Sequence, residues 1–175
     1  MTGSVSKRTS LREFQETLAS RIRAAAGEVA PSARLSFEAG GAHWLVRLEN
    51  AGEVLAAPEI ARVPLTRPWF LGVANVRGVL FGVTDFAAFL GAAPTTPGSD
   101  NRLLLIGQPH AINAALLVTR LTGLRNPGEL ERARESGAAA KWAEKTWRDA
   151  EGRTWHELDS TRLLSHREFL DVAMH

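Results

Sequence analysis

The sequence predicts a mainly β fold of small barrels with helices at its ends, and three observations carry that expectation. Short apolar or alternating runs recur at even spacing along most of the chain. Gly, Pro, Asn and Asp punctuate them at turn-like intervals, and stretches at helical spacing occupy the two ends.

At the amino end, residues 1–10 are polar, after which Leu11, Phe14, Leu18 and Ile22 recur three and four apart, the stripe of an amphipathic helix. Ser10 and Glu13 form a capping-box pattern, and Gly27 and Pro31 end the helix. Tail and helix together make a first segment, 1–32. From Ala33 the period becomes two: Leu35 and Phe37, a Gly40-Gly41 turn, then Trp44, Val46 and Leu48 read as a hairpin. Val54-Leu55 and an extended run from Glu59 to Val63 follow. Trp69 to Ala74 and Val79 to Val83 are apolar runs separated by the turn Asn75-Val76-Arg77-Gly78, and they read as neighbouring buried strands.

Asp85 stands where an N-cap carboxylate accepts backbone N–H bonds from a short helix, Phe86 to Leu90, and Gly91 supplies its left-handed stop. Ala92 to Asp100 holds two prolines, a glycine and a serine and is the expected internal boundary, dividing a first half at about 33–92 from a second at about 100–160. The second half reads as a strand Arg102 to Ile106, a turn Gln108 to His110 and a long strand Ala111 to Leu121. Asn126-Pro127-Gly128 breaks the chain, and Glu129 to Ala143 reads as an exposed connector with helical composition. Thr146 to Leu158 is a hairpin turning at Asp149 to Gly152 with Trp147 and Trp155 flanking it, and a C-terminal helix covers about 159–172.

Composition bounds the function classes. The chain has 175 residues, 45% apolar and 23% charged, as expected of a globular domain. Its longest apolar runs fall far short of the roughly 20 residues a bilayer requires, and the charged residues after Lys7 and Arg8 interrupt any signal core. The absence of cysteine removes disulfides and sulfur metal sites and fits a cytoplasmic location. The pI of 9.6 reflects a surplus of only +2 with no Tyr or Cys to titrate. Residues 1–34 hold six Lys/Arg against three Glu, and the rest holds 15 against 16. A small nucleic-acid-binding barrel using that basic segment is therefore the alternative function, although the body lacks a basic stripe.

Candidate chemistry is sparse. His43, His110, His156, His166 and His175 include no pair at i, i+4 and no H-E-x-x-H, so no metal site is expected. His43 and His156 read as strand-surface residues beside tryptophans. No nucleophile elbow or phosphate-cradling glycine loop is present, and Asp85 is the one carboxylate in an apolar setting. Arg77 stands apart: a long cation between two apolar strands is costly turned inward and useful projecting into a partner.

The run Pro64 to Gly78, PLTRPWFLGVANVRG, with its Asn75-Val76-Arg77-Gly78 close, resembles the signature of CheW-like domains. Val83-Thr84-Asp85-Phe86 and Phe89-Leu90-Gly91 are similar to the continuation, with Thr84 and Phe86 departing from the usual valine and leucine. Asp149 to Gly152 and Leu158-Asp159 resemble the close of the second barrel, so the likeness covers about 33–170, and the CheW-like domain is expected at 33–172. Within the family, the N-terminal helix, Trp69 and the run Trp155 to Leu170 look most like the PilI-type adaptors of type IV pilus systems. The resemblance implies two five-stranded barrels sharing a hydrophobic seam, no catalysis and no cofactor. It also implies a cytoplasmic adaptor, recruited to membrane receptor arrays, that couples a chemoreceptor tip to the regulatory domain of a CheA-type histidine kinase in twitching motility. Asn75, Val76, Arg77 and Gly78 would lie in or near the partner-binding groove, and Asp85, Gly91 and Gly72 would be architectural.

Overall fold

A computed structural model describes residues 32–106, 112–134 and 137–174. The expected N-terminal helix, the basic segment up to residue 31, the 108–110 turn with His110, and His175 lie outside the described residues.

Among the described residues, eleven strands form two sheets. In chain order they are β1 (Arg34–Ala39), β2 (Ala42–Arg47), β3 (Ala51–Ala56), β4 (Phe70–Val76), β5 (Val79–Asp85), β6 (Arg102–Ile106), β7 (Ala114–Val118), β8 (Arg120–Arg125), β9 (Glu131–Ala133), β10 (Ala143–Arg148) and β11 (Thr154–Leu158). Helix α1 is Phe86–Phe89, α2 is Ser160–Ser165 and α3 is Arg167–Leu170. One sheet has six strands in the order β8-β1-β2-β11-β10-β9, and the other has five in the order β3-β6-β7-β5-β4. The β-rich architecture is the one expected, with six and five strands in place of five and five, and the end strands of each sheet are not paired to each other.

The loop at 92–100 is not a boundary between the sheets. β6 and β7, which follow it, join β3, β4 and β5, while β8 to β11 return to pair with β1 and β2. Two parallel pairings make the join: β5 with β7 and β2 with β11. Division by local composition misses this, because pairing depends on partners far away in sequence.

Three other expectations change. The run 111–121 is not one strand: Thr119 turns its N–H to the Glu38 carbonyl (2.9 Å) and its carbonyl to Asn101 Nδ2 (3.1 Å), so β7 and β8 fall in different sheets. The 129–143 connector contains β9, paired with β10 from Ala133↔Thr146 to Glu131↔Arg148, and a 3-10 turn at Ala138–Trp142 that buries Trp142. The single C-terminal helix is two, because His166 has an extended backbone and its ring accepts the Glu168 N–H, starting a new helix.

Alternation along the strands gives each sheet two apolar faces. Phe37, Trp44 and Val46 of one sheet and Leu104, Ile106, Leu116 and Val118 of the other share a central core with Phe86, Phe89, Leu163 and Phe169. Burying each of those large side chains is worth about 2–3 kcal/mol. Leu103 and Leu105, pointing the other way from Leu104, join Val76, Val83 and Ala115 on the far face of the five-stranded sheet. Leu45 and Trp155 gather with Leu130 and Trp147 on the far face of the six-stranded sheet.

Candidate functional site

The turn between β4 and β5 is fixed by its backbone. Arg77 and Gly78 have φ of 54° and 86°, both left-handed, the pattern of a two-residue turn that matches strand twist. Asn75 Oδ1 accepts the Gly78 N–H at 2.8 Å, closing the turn from the side. Val76 is turned inward and is buried in the core of the five-stranded sheet. Of the four residues expected at a partner groove, Asn75, Arg77 and Gly78 are exposed, and Arg77 carries the charge: its side chain is 77% exposed. Its Nη2 donates to Glu53 Oε1 at 2.7 Å, tying this turn to β3 at the opposite end of the same sheet.

Next to the turn, Val79 and Leu80 are 45% and 59% exposed, so the first part of β5 is not the buried strand expected. Glu53, Val79 and Leu80 were missed as site residues. An apolar pair opening a strand looks like core in sequence, and Glu53 is far from Arg77 along the chain.

Upstream, β4 is sealed at its free edge by Ala61, which exchanges two backbone hydrogen bonds with Val73 (2.8 and 2.9 Å). Gly72 makes that approach achievable: a Cβ there would sit 2.1 Å from the Ala61 carbonyl oxygen, at φ 132°. At the other end of the hairpin, Asp85 accepts from Ala88 N–H (3.3 Å), Thr95 N–H (2.8 Å) and the Thr95 hydroxyl (2.8 Å). It therefore caps α1 and pins the following loop. Gly91, at φ 82°, donates to the Ala88 carbonyl as α1 ends.

A second polar centre lies in the six-stranded sheet. Glu157 is fully buried, and Arg34 Nε (2.8 Å), Arg47 Nε (3.2 Å) and Trp147 Nε1 (2.9 Å) all donate to its carboxylate. Burial pushes its pKa up, but the Trp147 hydrogen bond and the two guanidiniums outweigh burial and hold it below the usual glutamate range. Asp149, also buried, accepts from Trp155 Nε1 (2.9 Å) and from Arg153 N–H and Nε (both 2.8 Å). Desolvation raises its pKa, and those bonds overcome it and hold the carboxyl well below the usual range. Asp85 is thus one of several carboxylates in apolar surroundings. His156 is not at the strand surface: it is buried, 5.3 Å from the Trp44 ring, with the Thr146 hydroxyl 3.5 Å from its Nδ1. His43 lies against Trp155 at 4.8 Å.

Among the described residues no cluster of three or more His, Cys, Asp or Glu could hold a metal ion, and no helix is long and apolar enough to cross a membrane.

Residues 34–168 match the family model described as "CheW-like domain". Over 92 residues the chain is 32% identical to protein PilI of Pseudomonas aeruginosa, a match spanning 53% of this chain and about half (51%) of that protein. The fold superposes on the crystal structure of the scaffolding protein TtCheW from Thermoanaerobacter tengcongensis with a TM-score of 0.66, at 16% identity, over 79% of this chain and 96% of that one. With its strands, its Asn75 to Gly78 turn and most of its length inside the matched region, the chain belongs to the CheW-like domain family.

Proposed function

We propose that this chain is a non-catalytic adaptor of a chemotaxis-type signalling system that couples a chemoreceptor's cytoplasmic tip to the regulatory domain of a CheA-type histidine kinase. The likeness to PilI supports placing it in a type IV pilus system with twitching as the output. In this reading it works at receptor arrays on the cytoplasmic side of the membrane and acts by geometry.

The observation that carries the proposal is the exposed turn, where an arginine held by its backbone in a left-handed conformation projects beside two exposed aliphatic side chains. A non-glycine residue in that conformation costs roughly 1–2 kcal/mol, and such strain collects at functional positions. Arginine flanked by apolar surface is the composition of an interface hot spot. The ion pair with Glu53 is exposed and worth at most about 1 kcal/mol, so it orients Arg77 without sequestering it.

The test uses purified receptor-tip and kinase regulatory-domain fragments. Arg77→Glu should weaken capture of at least one of them by about 30-fold or more, with the melting temperature little changed. Arg77→Asn, which suits the left-handed turn, should keep or raise stability and lose capture equally. Wild-type capture by both variants would overturn the assignment, and so would unfolding of both, which would make Arg77 structural.

A further inference from the structure

On the far face of the six-stranded sheet, the register aligns Arg132, Trp147, Trp155 and His43 in one row across β9, β10, β11 and β2. Both indoles are anchored from one side: Trp147 Nε1 donates to Glu157 and Trp155 Nε1 to Asp149, each at 2.9 Å. Both carry an arginine on the ring face. Arg125, from the end strand β8, lies 4.6 Å from the Trp155 centroid, and Arg132, from the other end strand β9, lies 5.7 Å from that of Trp147.

The charge balance here is uneven. Glu157 is matched by Arg34 and Arg47, and Asp149 by Arg153. Among the described residues, neither Arg125 nor Arg132 has an ion-pair or hydrogen-bond partner for its guanidinium; the tryptophan faces are what hold them. Arg132 is exposed and Arg125 half-buried, so both remain reachable from solvent. Stacking leaves the in-plane N–H donors of a guanidinium unused, and that fork matches a carboxylate or phosphoryl group. Holding the fork by an aromatic face also lowers the entropy lost when an anion binds.

We propose that Arg125 and Arg132, preorganised on Trp155 and Trp147, form an oxyanion-binding site between the two end strands of the six-stranded sheet. It is separate from the Arg77 turn, which belongs to the other sheet, and does not rest on the adaptor reading. The ligand class is an oxyanion, supplied either as a phosphoryl group or as the carboxylates of an acidic protein segment.

The experiment follows the indole N–H signals of Trp147 and Trp155 in the ¹⁵N-labelled full chain, assigned with Trp→Phe variants. Sodium phosphate and a blocked tri-glutamate peptide are titrated separately at ionic strength fixed with sodium chloride. Saturable shifts at these two indoles are expected with at least one probe; phosphate alone assigns a phosphoryl ligand, and the peptide alone an acidic segment. The double variant Arg125→Gln with Arg132→Gln should weaken the response by about tenfold or more, the loss of one charge-assisted hydrogen bond. Arg132→Lys, which keeps the charge and loses the fork, should fall between. If the double variant does not fold, Arg132→Gln alone supplies the comparison, since that side chain is exposed. Shifts no larger than those from chloride, or unchanged in the folded variants, would overturn the site.

Discussion

Arg77 and Glu157 are both charged, one in the β4–β5 turn and the other within β11, and solvent decides opposite roles for them. Arg77 is held by a turn whose geometry owes nothing to its guanidinium, so its side chain can change with small effect on folding. Glu157 is enclosed, and its three donors come from β1, β2 and β10, so removing the charge leaves Arg34 and Arg47 facing a neutral group. Breaking a buried pair in this way costs about 3–5 kcal/mol. Glu157→Gln is expected to destabilise the fold by an amount near that range in urea unfolding at pH 7. The sign with pH follows from its lowered pKa: the carboxylate's stabilisation is fully present above the ordinary glutamate value of 4.5 and is lost as pH falls below it toward the folded-state value. The wild type should therefore lose stability more steeply than Glu157→Gln as the pH is lowered from 5 to 3, in roughly that window. Parallel curves would show that folding does not lower the pKa of this carboxyl.

At the scale of elements, the β4–β5 hairpin depends on one close approach. Gly72→Ala would drive a methyl group into the Ala61 carbonyl, and its φ of 132° is unfavourable for alanine as well. The loss expected is about 2 kcal/mol or more, read as a lower urea midpoint; a change under about 0.5 kcal/mol, the range of ordinary surface substitutions, would mean that the Ala61 segment detaches at little cost. Much of this hairpin was legible in the sequence because its chemistry is local: Arg77-Gly78 at the turn, Asp85 at the helix cap and Gly91 at the helix end each act within a few residues. Glu157 was not legible, since Arg34 and Arg47 lie 123 and 110 residues away. The same holds for β9, whose composition resembles a helix and whose strand character comes from β10. Thr119 looked like the interior of a strand because the groups that bend it, Glu38 and Asn101, belong to other elements.

For the whole molecule, the central core joins side chains from both sheets and from all three described helices. Unfolding of the described body should be a single cooperative transition. A fragment of residues 33–96, ending within the loop expected to separate two halves, should be unfolded by circular dichroism. It keeps β3 without its partner β6, β5 without β7, and β2 without β11. A folded, cooperatively melting fragment would show that the first half is autonomous after all.

The nesting of one sheet within the other also sets a timetable for a chain leaving the ribosome. Every strand of the five-stranded sheet lies between Ala51 and Val118, so that sheet is complete while the outer one still consists of the β1–β2 hairpin alone. Until β8 and β11 emerge, that hairpin has both edges open and Phe37 and Trp44 incompletely covered. At about 5–20 residues per second, the wait from Val118 to Leu158 lasts on the order of seconds. Among the described strands, that hairpin is thus the one that most needs a chaperone while the chain is being made.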